Sequence, residues 1–291
     1  MDCSIIIPHY NQVDHLENCL AALLDQRSTL SYEVIVVDVE ALGKNVIENR
    51  IKDTRIRWII SKDKNPYISR NIGIKQSKSE VIILLDAKCQ VYPGFIQRAY
   101  QSCTAQQKAL FAGQYVLDFA SDQIKDKVYG ALYLQTQKNV KHSYGVTAGN
   151  LAFSKELFIE AGPFDESYHS GMDIKWSKHV QSLGYEISYV ADMKARYPAQ
   201  TWAELCLSLK KYFCGISHIH SNEKMSARKR IRYFLRQLMP MKFSTYRASL
   251  ASRTMVISTT DKVYLWLRVW QAKIHMAKAY LRCWMKHEGR P

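Results

Sequence analysis

The chain has no CxxC pair and no cysteine cluster, although it carries seven cysteines: Cys3, Cys19, Cys89, Cys103, Cys206, Cys214 and Cys283. An odd, scattered set offers neither zinc spacing nor a disulfide framework, so reduced thiols in a cytoplasmic compartment are expected. No uncharged apolar run approaches the ~20 residues that span a bilayer. The run Ile5-Ile6-Ile7 follows Met1-Asp2-Cys3 with no basic flank and is too short for the apolar part of a secretory leader. Any membrane would therefore be met from the side, peripherally. Acidic residues are scarce in one region only. Residues 201–291 hold 4 Asp and Glu against 18 Lys and Arg, whereas residues 1–200 hold 22 against 23. The net charge of +15 thus belongs almost wholly to the last third, and so should any partner it attracts. No DNA or RNA recognition motif accompanies this charge, so no nucleic-acid partner is expected. Repeats and low-complexity segments are absent too. With 291 residues, 47% of them apolar, the chain can form one large α/β domain with a helical extension.

What is present is an alternation of apolar strands and helices. Ser4–Pro8, Glu33–Asp38, Arg57–Ile60 and Val81–Asp86 read as strands, with helices over 14–26 and Ser69–Ser77. Strands apolar on both faces and separated by helices predict a mainly parallel sheet covered on both sides. Two of them end in a carboxylate, Asp38 and Asp86. That edge of an open α/β sheet is where ligands bind. Further strands are expected at Ala109–Asp118, in the strand-like run that follows the small residues of Gly145–Phe153, and at Glu186–Val190, and helices at Lys155–Ala161 and Asp173–Leu183. Residues 121–142 are polar and without clear period, so a mobile loop or short helices are expected there, and from Trp202 on the pattern is helical. The expected division is 1–200, in halves 1–100 and 101–200, followed by a basic helical region over 201–291.

Four ordered segments carry a resemblance: Ser4–Asn11 with its turn Pro8-His9-Tyr10-Asn11; Glu33–Asp38; Ser69-Arg70-Asn71-Ile72-Gly73 leading to Val81–Lys88; and Gly149-Asn150-Leu151-Ala152-Phe153, Gly162-Pro163-Phe164-Asp165-Glu166 and Gly171-Met172-Asp173. Together they resemble the signature blocks of family 2 glycosyltransferases. The resemblance implies a GT-A fold, a Rossmann-like mixed sheet flanked by helices. It implies a nucleotide-sugar donor and transfer with inversion. It assigns Pro8, His9, Tyr10, Asn11, Asp38, Glu40, Arg70, Asp86, Ala87 and Lys88 to the donor. It makes Asp173 the catalytic base. Gly149, Asn150, Met172 and Trp176 would lie toward a glycan or lipid-linked acceptor.

Three positions depart from the family's pattern. Val39 stands where a second Asp reads the base, with Glu40 next to it; Met172 stands in place of a Glu; and Lys88 replaces the second carboxylate of D-x-D. A D-x-D pair holds Mg²⁺ or Mn²⁺ against the departing diphosphate. An ammonium there opposes a metal and attracts a diphosphate, by about 4 kcal/mol at ~4 Å and an effective dielectric of ~20. With Asp86 as the only candidate ligand, no cofactor is expected to be required, and Mg²⁺ or Mn²⁺ is disfavoured. Ala195-Arg196-Tyr197-Pro198 also lacks the His that metal-dependent members often carry nearby.

In the basic third, Ile231, Phe234, Leu235 and Leu238 share one helical face. Val263, Trp266, Trp270, Ile274, Ala277, Leu281 and Trp284 form a second stripe. Basic, aromatic-bearing amphipathic helices suit a membrane interface, and they equally suit packing within a domain. The competing function is a non-catalytic module of the same fold that binds nucleotide-sugar or glycan. A sugar nucleotidyltransferase fits poorly, because residues 4–11 contain no glycine.

Overall fold

The first strand alternates its burial between two helical layers. In β1 (Cys3–His9), Ile5 and Ile7 pack with Leu16 and Leu20 of α1 (Val13–Leu24) in one buried cluster. Ile6 faces the other way, under α3 (Pro66–Gln76); a Cβ on Gly73 would stand 2.3 Å from its Cγ2. Gly73 is therefore required for a helix lying directly on the sheet. Full burial of such aliphatic side chains stabilises by about 1.5–3 kcal/mol each, which fixes both layers to β1.

The computed structural model describes residues 1–119, 136–242 and 258–288. Beyond β1 the strands are β2 (Tyr32–Val39), β3 (Ile56–Ser61), β4 (Val81–Leu85), β5 (Gln90–Val91), β6 (Ala109–Asp118), β7 (Asn150–Ser154) and β8 (Glu186–Pro198). They form one eight-stranded sheet in the order β3-β2-β1-β4-β7-β6-β8-β5. The β3-β2-β1-β4 half is parallel, while β7 runs antiparallel to both β4 and β6. The remaining helices are α2 (Leu42–Ile47), α4 (Phe95–Ala105), α5 (Thr136–Lys141), α6 (Lys155–Ala161), α7 (Met172–Ser182), α8 (Trp202–Asn222), α9 (Ala227–Leu238) and α10 (Thr259–Glu288). This is the mixed sheet flanked by helices expected of the GT-A class.

The described residues fall into two compact units: those of Met1–Val116 and Gln135–Pro198, and those of Leu117–Leu134 and Ala199–Pro291. In the second, α8 and α10 pack along each other, with α9 against α10.

Of the polar stretch 121–142, residues 121–135 lie outside the described residues, and 136–141 form α5, one of the short helices expected there. Other expectations need correction. Between Lys88 and Ala109 no element was expected; β5 and α4 lie there, the helix burying Phe95, Ile96, Ala99 and Cys103. The last strand continues eight residues past Val190. Charged Asp192, Lys194 and Arg196 alternate there with buried Met193 and Ala195. The thiols are not all reduced: Cys214 of α8 and Cys283 of α10 form a disulfide across 69 residues. Helix packing brings their Cα atoms to 5.4 Å, a proximity that local spacing does not reveal. The pairing also removes the thiol-based reason for expecting a reducing compartment.

The apolar stripe of α10 is displaced in part. Ala277 and Trp284 of the expected stripe are buried, but the main buried line is Leu265, Val269, Ala272, Met276 and Tyr280, and Val263 is exposed. Trp266 and Trp270 are half-buried, their indole N–H groups donating to the carbonyls of Met241 and Leu238. On α9, Ile231 and Leu235 are exposed and Arg230 is buried, its guanidinium 4.5 Å from the Trp284 ring centre.

Candidate active site

Strands β2, β1 and β4 are adjacent and parallel, so the C-terminal ends of all three meet at one edge. His9, Asp38 and Asp86 stand there. Asp38 is fully buried, and both its oxygens are engaged. Oδ1 lies 2.6 Å from His9 Nδ1; Oδ2 accepts from the backbone N–H groups of Gly43 and Lys44 at 2.8 Å each. Gln12 N–H donates to His9 Nε2, which leaves Nδ1 to donate the hydrogen bond to Asp38 Oδ1. Asp38 thus binds β1 to β2 and holds the start of α2. Outside this buried pair, Tyr10 and Glu40 are exposed, with Lys64 Nζ 4.8 Å from the Tyr10 ring centre and 3.8 Å from Glu40. Asn11 and Glu40 both take left-handed backbone conformations, φ 51° and 60°.

The second group is built on α3. Asn65 starts this helix by accepting from Tyr67 N–H, and Pro66 takes the first helical position, where no donor is needed. Tyr67 and Arg70, three residues apart, share a face. Arg70 donates to Asp86 Oδ1 at 2.8 Å and lies 5.7 Å from the Tyr67 ring centre. Tyr67 donates its hydroxyl to Asp173 Oδ1 at 3.2 Å. A chain of contacts therefore runs from Asp86 through Arg70 and Tyr67 to Asp173.

Two asparagines secure this arrangement. Asn65 Nδ2 donates to the carbonyls of Glu166 and Tyr168. Asn71 donates to Phe164 O and Glu166 Oε1 and accepts from Phe164 N–H. Both hold the loop 164–168 that leads into α7, whose second residue is Asp173. The motif residues Asn71, Phe164 and Glu166 thus dock the start of α7 against α3.

Asp173 is half-buried and receives three donors: Tyr67 Oη, Ala148 N–H on Oδ2 at 3.1 Å, and its neighbour Ile174 N–H at 3.1 Å. Its pKa is nevertheless raised above the ordinary carboxylate value. Desolvation is the largest cause, and the nearby Arg70 charge and the three hydrogen bonds only partly offset it. A carboxylate with raised proton affinity on a fixed helix end can accept a proton from a substrate group.

The remaining expected residues are placed as follows. Gly149 lies beside Asp86, whose N–H donates to Gly149 O; a Cβ there would come 2.5 Å from Asp86 Oδ2 and 2.8 Å from the Tyr115 hydroxyl. Lys88 and Pro8 are half-buried, and Ala87 is buried. Met172 is buried and donates its backbone N–H to the Tyr67 hydroxyl. Asn150 and Trp176, expected toward the acceptor, lie inside instead, each 1% exposed. Asn150 donates to the carbonyls of Gln114 and Met193, and Trp176 packs among Phe153, Phe158 and Phe164 with its indole N–H on Gly162 O. Sequence reasoning missed Tyr67 and Lys64. The i, i+3 spacing of Tyr67 to Arg70 was the available signal for the first. A hollow of about 480 Å³ lies at the opposite strand edge, by Met1, Glu33 and Lys78, away from these residues.

The chain belongs to glycosyl transferase family 2: the model of that family matches residues 4–161, more than half of the chain. It is a glycosyltransferase by family. Glycosyltransferase AglE of Haloferax volcanii is 26% identical over 216 residues, 72% of this chain and 70% of that protein. Chondroitin synthase of Escherichia coli is 24% identical over 224 residues, 63% of this chain but 32% of its own length. Among solved structures, mannosyltransferase PcManGT of Pyrobaculum calidifontis, in complex with GDP-Man and Mn²⁺, superposes with TM-score 0.63 at 13% identity, over 99% of this chain and 87% of that one. GalNAc-T7 with UDP, GalNAc and Mn²⁺ gives 0.54 at 14% identity, over 67% of this chain and 43% of that one. At such identity the structures establish the GT-A fold.

Both structural neighbours carry Mn²⁺. Among the described residues no three His, Cys, Asp or Glu side chains converge. One oxygen of Asp86 is taken by Arg70, whose buried Nε has no acceptor, and Lys88 follows two residues on.

Proposed function

We propose that the protein transfers a sugar, with inversion, from a nucleoside-diphosphate sugar to a hydroxyl of a glycan or lipid-linked acceptor, and that it does so without a required divalent cation. The observation that carries this reading is the link from Asp86 through Arg70 and Tyr67 to Asp173. It supports reading Arg70 as part of a cationic seat for a diphosphate and Asp173 as the base, within one connected group. Asp173 takes the acceptor's hydroxyl proton. The freed oxygen pair bonds the anomeric carbon from the face opposite the donor phosphate. The carbon–oxygen bond to the diphosphate breaks, its electrons staying on phosphate. Lys88 and Arg70 offset that charge as it grows.

Tyr10, with Glu40 and Lys64, offers an exposed aromatic face for the nucleoside. Asp38 acts through His9, keeping this edge in place. Asn150 and Trp176 support the acceptor side from within. Chondroitin synthase among the relatives favours a glycan acceptor, whereas the Mn²⁺ of the structural neighbours weighs against metal independence. A cytoplasmic site at a membrane surface, reached through residues 201–291, agrees with the charge distribution. No described helix is long and apolar enough to cross a membrane.

The reading is tested by incubating the protein with a panel of nucleotide sugars and candidate acceptors, with and without a chelator. Release of nucleoside diphosphate coupled to a product of inverted anomeric configuration, unchanged by chelator, is expected. A retained configuration or no turnover with any donor would refute it.

Tyr67→Phe probes the base directly. The lost hydroxyl stabilised the charged form of Asp173, so the carboxylate's pKa should rise further. The base works only when deprotonated. The acidic limb of kcat/KM should therefore move to higher pH, so that the variant's deficit grows as pH falls. A pH profile identical to wild type would show that Tyr67 does not act through Asp173.

A further inference from the structure

Within the second unit, α8 and α10 leave a groove of about 780 Å³ between them. Its lining is unusual in charge. Lys210 of α8 and Lys278, Arg282 and Lys286 of α10 all border it, and no Asp or Glu does. The three cations of α10 recur every four residues, so they form one row along the helix. Beside them stand Leu207 and Met285, 63% and 58% exposed. Large apolar side chains left in water beside a row of cations match a ligand that is anionic at one end and apolar at the other. A soluble phosphate compound would use the cations and leave Leu207 and Met285 unexplained.

We propose that this groove seats an anionic phospholipid, docking the protein on a negatively charged membrane surface. The phosphate headgroup meets Lys210, Lys278, Arg282 and Lys286, while the upper acyl chain covers Leu207 and Met285. Charge complementarity selects the occupant: 18 Lys and Arg against 4 Asp and Glu in residues 201–291 leave this region strongly attractive to an anionic leaflet. The inference deepens the membrane placement proposed above and names its surface. It is read out without sugar transfer, so the two can fail separately.

The test is co-sedimentation of the full chain with vesicles of phosphatidylcholine alone or with phosphatidylglycerol. Binding is expected only to the second, and to weaken with salt. Each cation near an anionic leaflet contributes about fivefold to partitioning, so Lys278→Glu with Arg282→Glu should lower it at least about twentyfold. Leu207→Ser with Met285→Ser should lower binding while the salt dependence remains. The same double reversal at Arg228 and Arg232 of α9, which do not line the groove, should cost much less. Circular dichroism and unchanged nucleotide-sugar binding serve to show that each variant is folded.

Equal loss from the α9 reversal, or equal binding to neutral vesicles, would overturn the proposal. So would release by millimolar inorganic phosphate where chloride of equal ionic strength has no effect, since that would mark a site for free phosphate. Asp173→Asn should bind vesicles as wild type does, which separates this test from that of sugar transfer.

Discussion

Replacing Asp173 by Asn should lower kcat by roughly a hundred- to ten-thousandfold, the span usual for loss of a general base. Asn keeps the size of the side chain and an oxygen that can still accept from Tyr67 and Ile174, which both bond Oδ1. It cannot take up a proton from an acceptor hydroxyl. The donor lies against Arg70 and Lys88 in this account, so its dissociation constant should change by no more than about threefold. Single-turnover kinetics together with calorimetric titration of the donor separate the two quantities. A variant that turns over at the wild-type rate would remove Asp173 from the chemistry and assign the base to another group, whereas a wild type that binds donor without turnover would favour the binding-module reading.

The second large effect concerns Lys88. Lys88→Ala should cut kcat on the order of a hundredfold, the magnitude seen when one preorganised charge at a developing anion is removed. The wild-type enzyme should be indifferent to chelator. In the variant, added Mn²⁺ should restore part of the lost rate. Removing the ammonium also removes a repulsion of about 4 kcal/mol per unit of metal charge at ~4 Å and an effective dielectric of ~20, so a metal can then approach Asp86. Steady-state rates for both proteins across a Mn²⁺ series, beginning in chelator, provide the check. A wild type silenced by chelator would show that Lys88 does not replace the metal.

The parallel half of the fold was legible because its signal is local. Val34 to Val37 are apolar and all buried, which only a strand covered on both faces explains. The edge that collects Asp38 and Asp86 follows from strand direction alone. What each carboxylate does there was not legible. Asp38 ends its strand just as a ligand-binding residue would, but a histidine 29 positions away and the first turn of α2 occupy it. Trp176 sits four residues after Met172, on the helix that opens the acceptor side, and nothing nearby reveals that Phe153, Phe158 and Phe164 enclose it.

The helix α10 posed a different difficulty. It has apolar residues on more than one face, so two stripes of similar quality exist. The partner helix α8 decides in favour of Leu265, Val269, Ala272 and Met276. The disulfide between Cys214 and Cys283 arises from that same packing. Asn65 and Asn71 show the reverse case. Asn71 was visible as a motif residue, but its work, clamping the 164–168 loop so that Asp173 meets Tyr67, appears only when segments about 95 residues apart are brought together.

The most direct measurement is a structure of the protein with an intact nucleotide sugar bound. The diphosphate should lie within hydrogen-bonding reach of Arg70 and Lys88, and the anomeric carbon should face Asp173 across a space wide enough for one hydroxyl. A nucleotide seated away from the C-terminal edge of β1, β2 and β4, or a sugar turned from Asp173, would contradict the account.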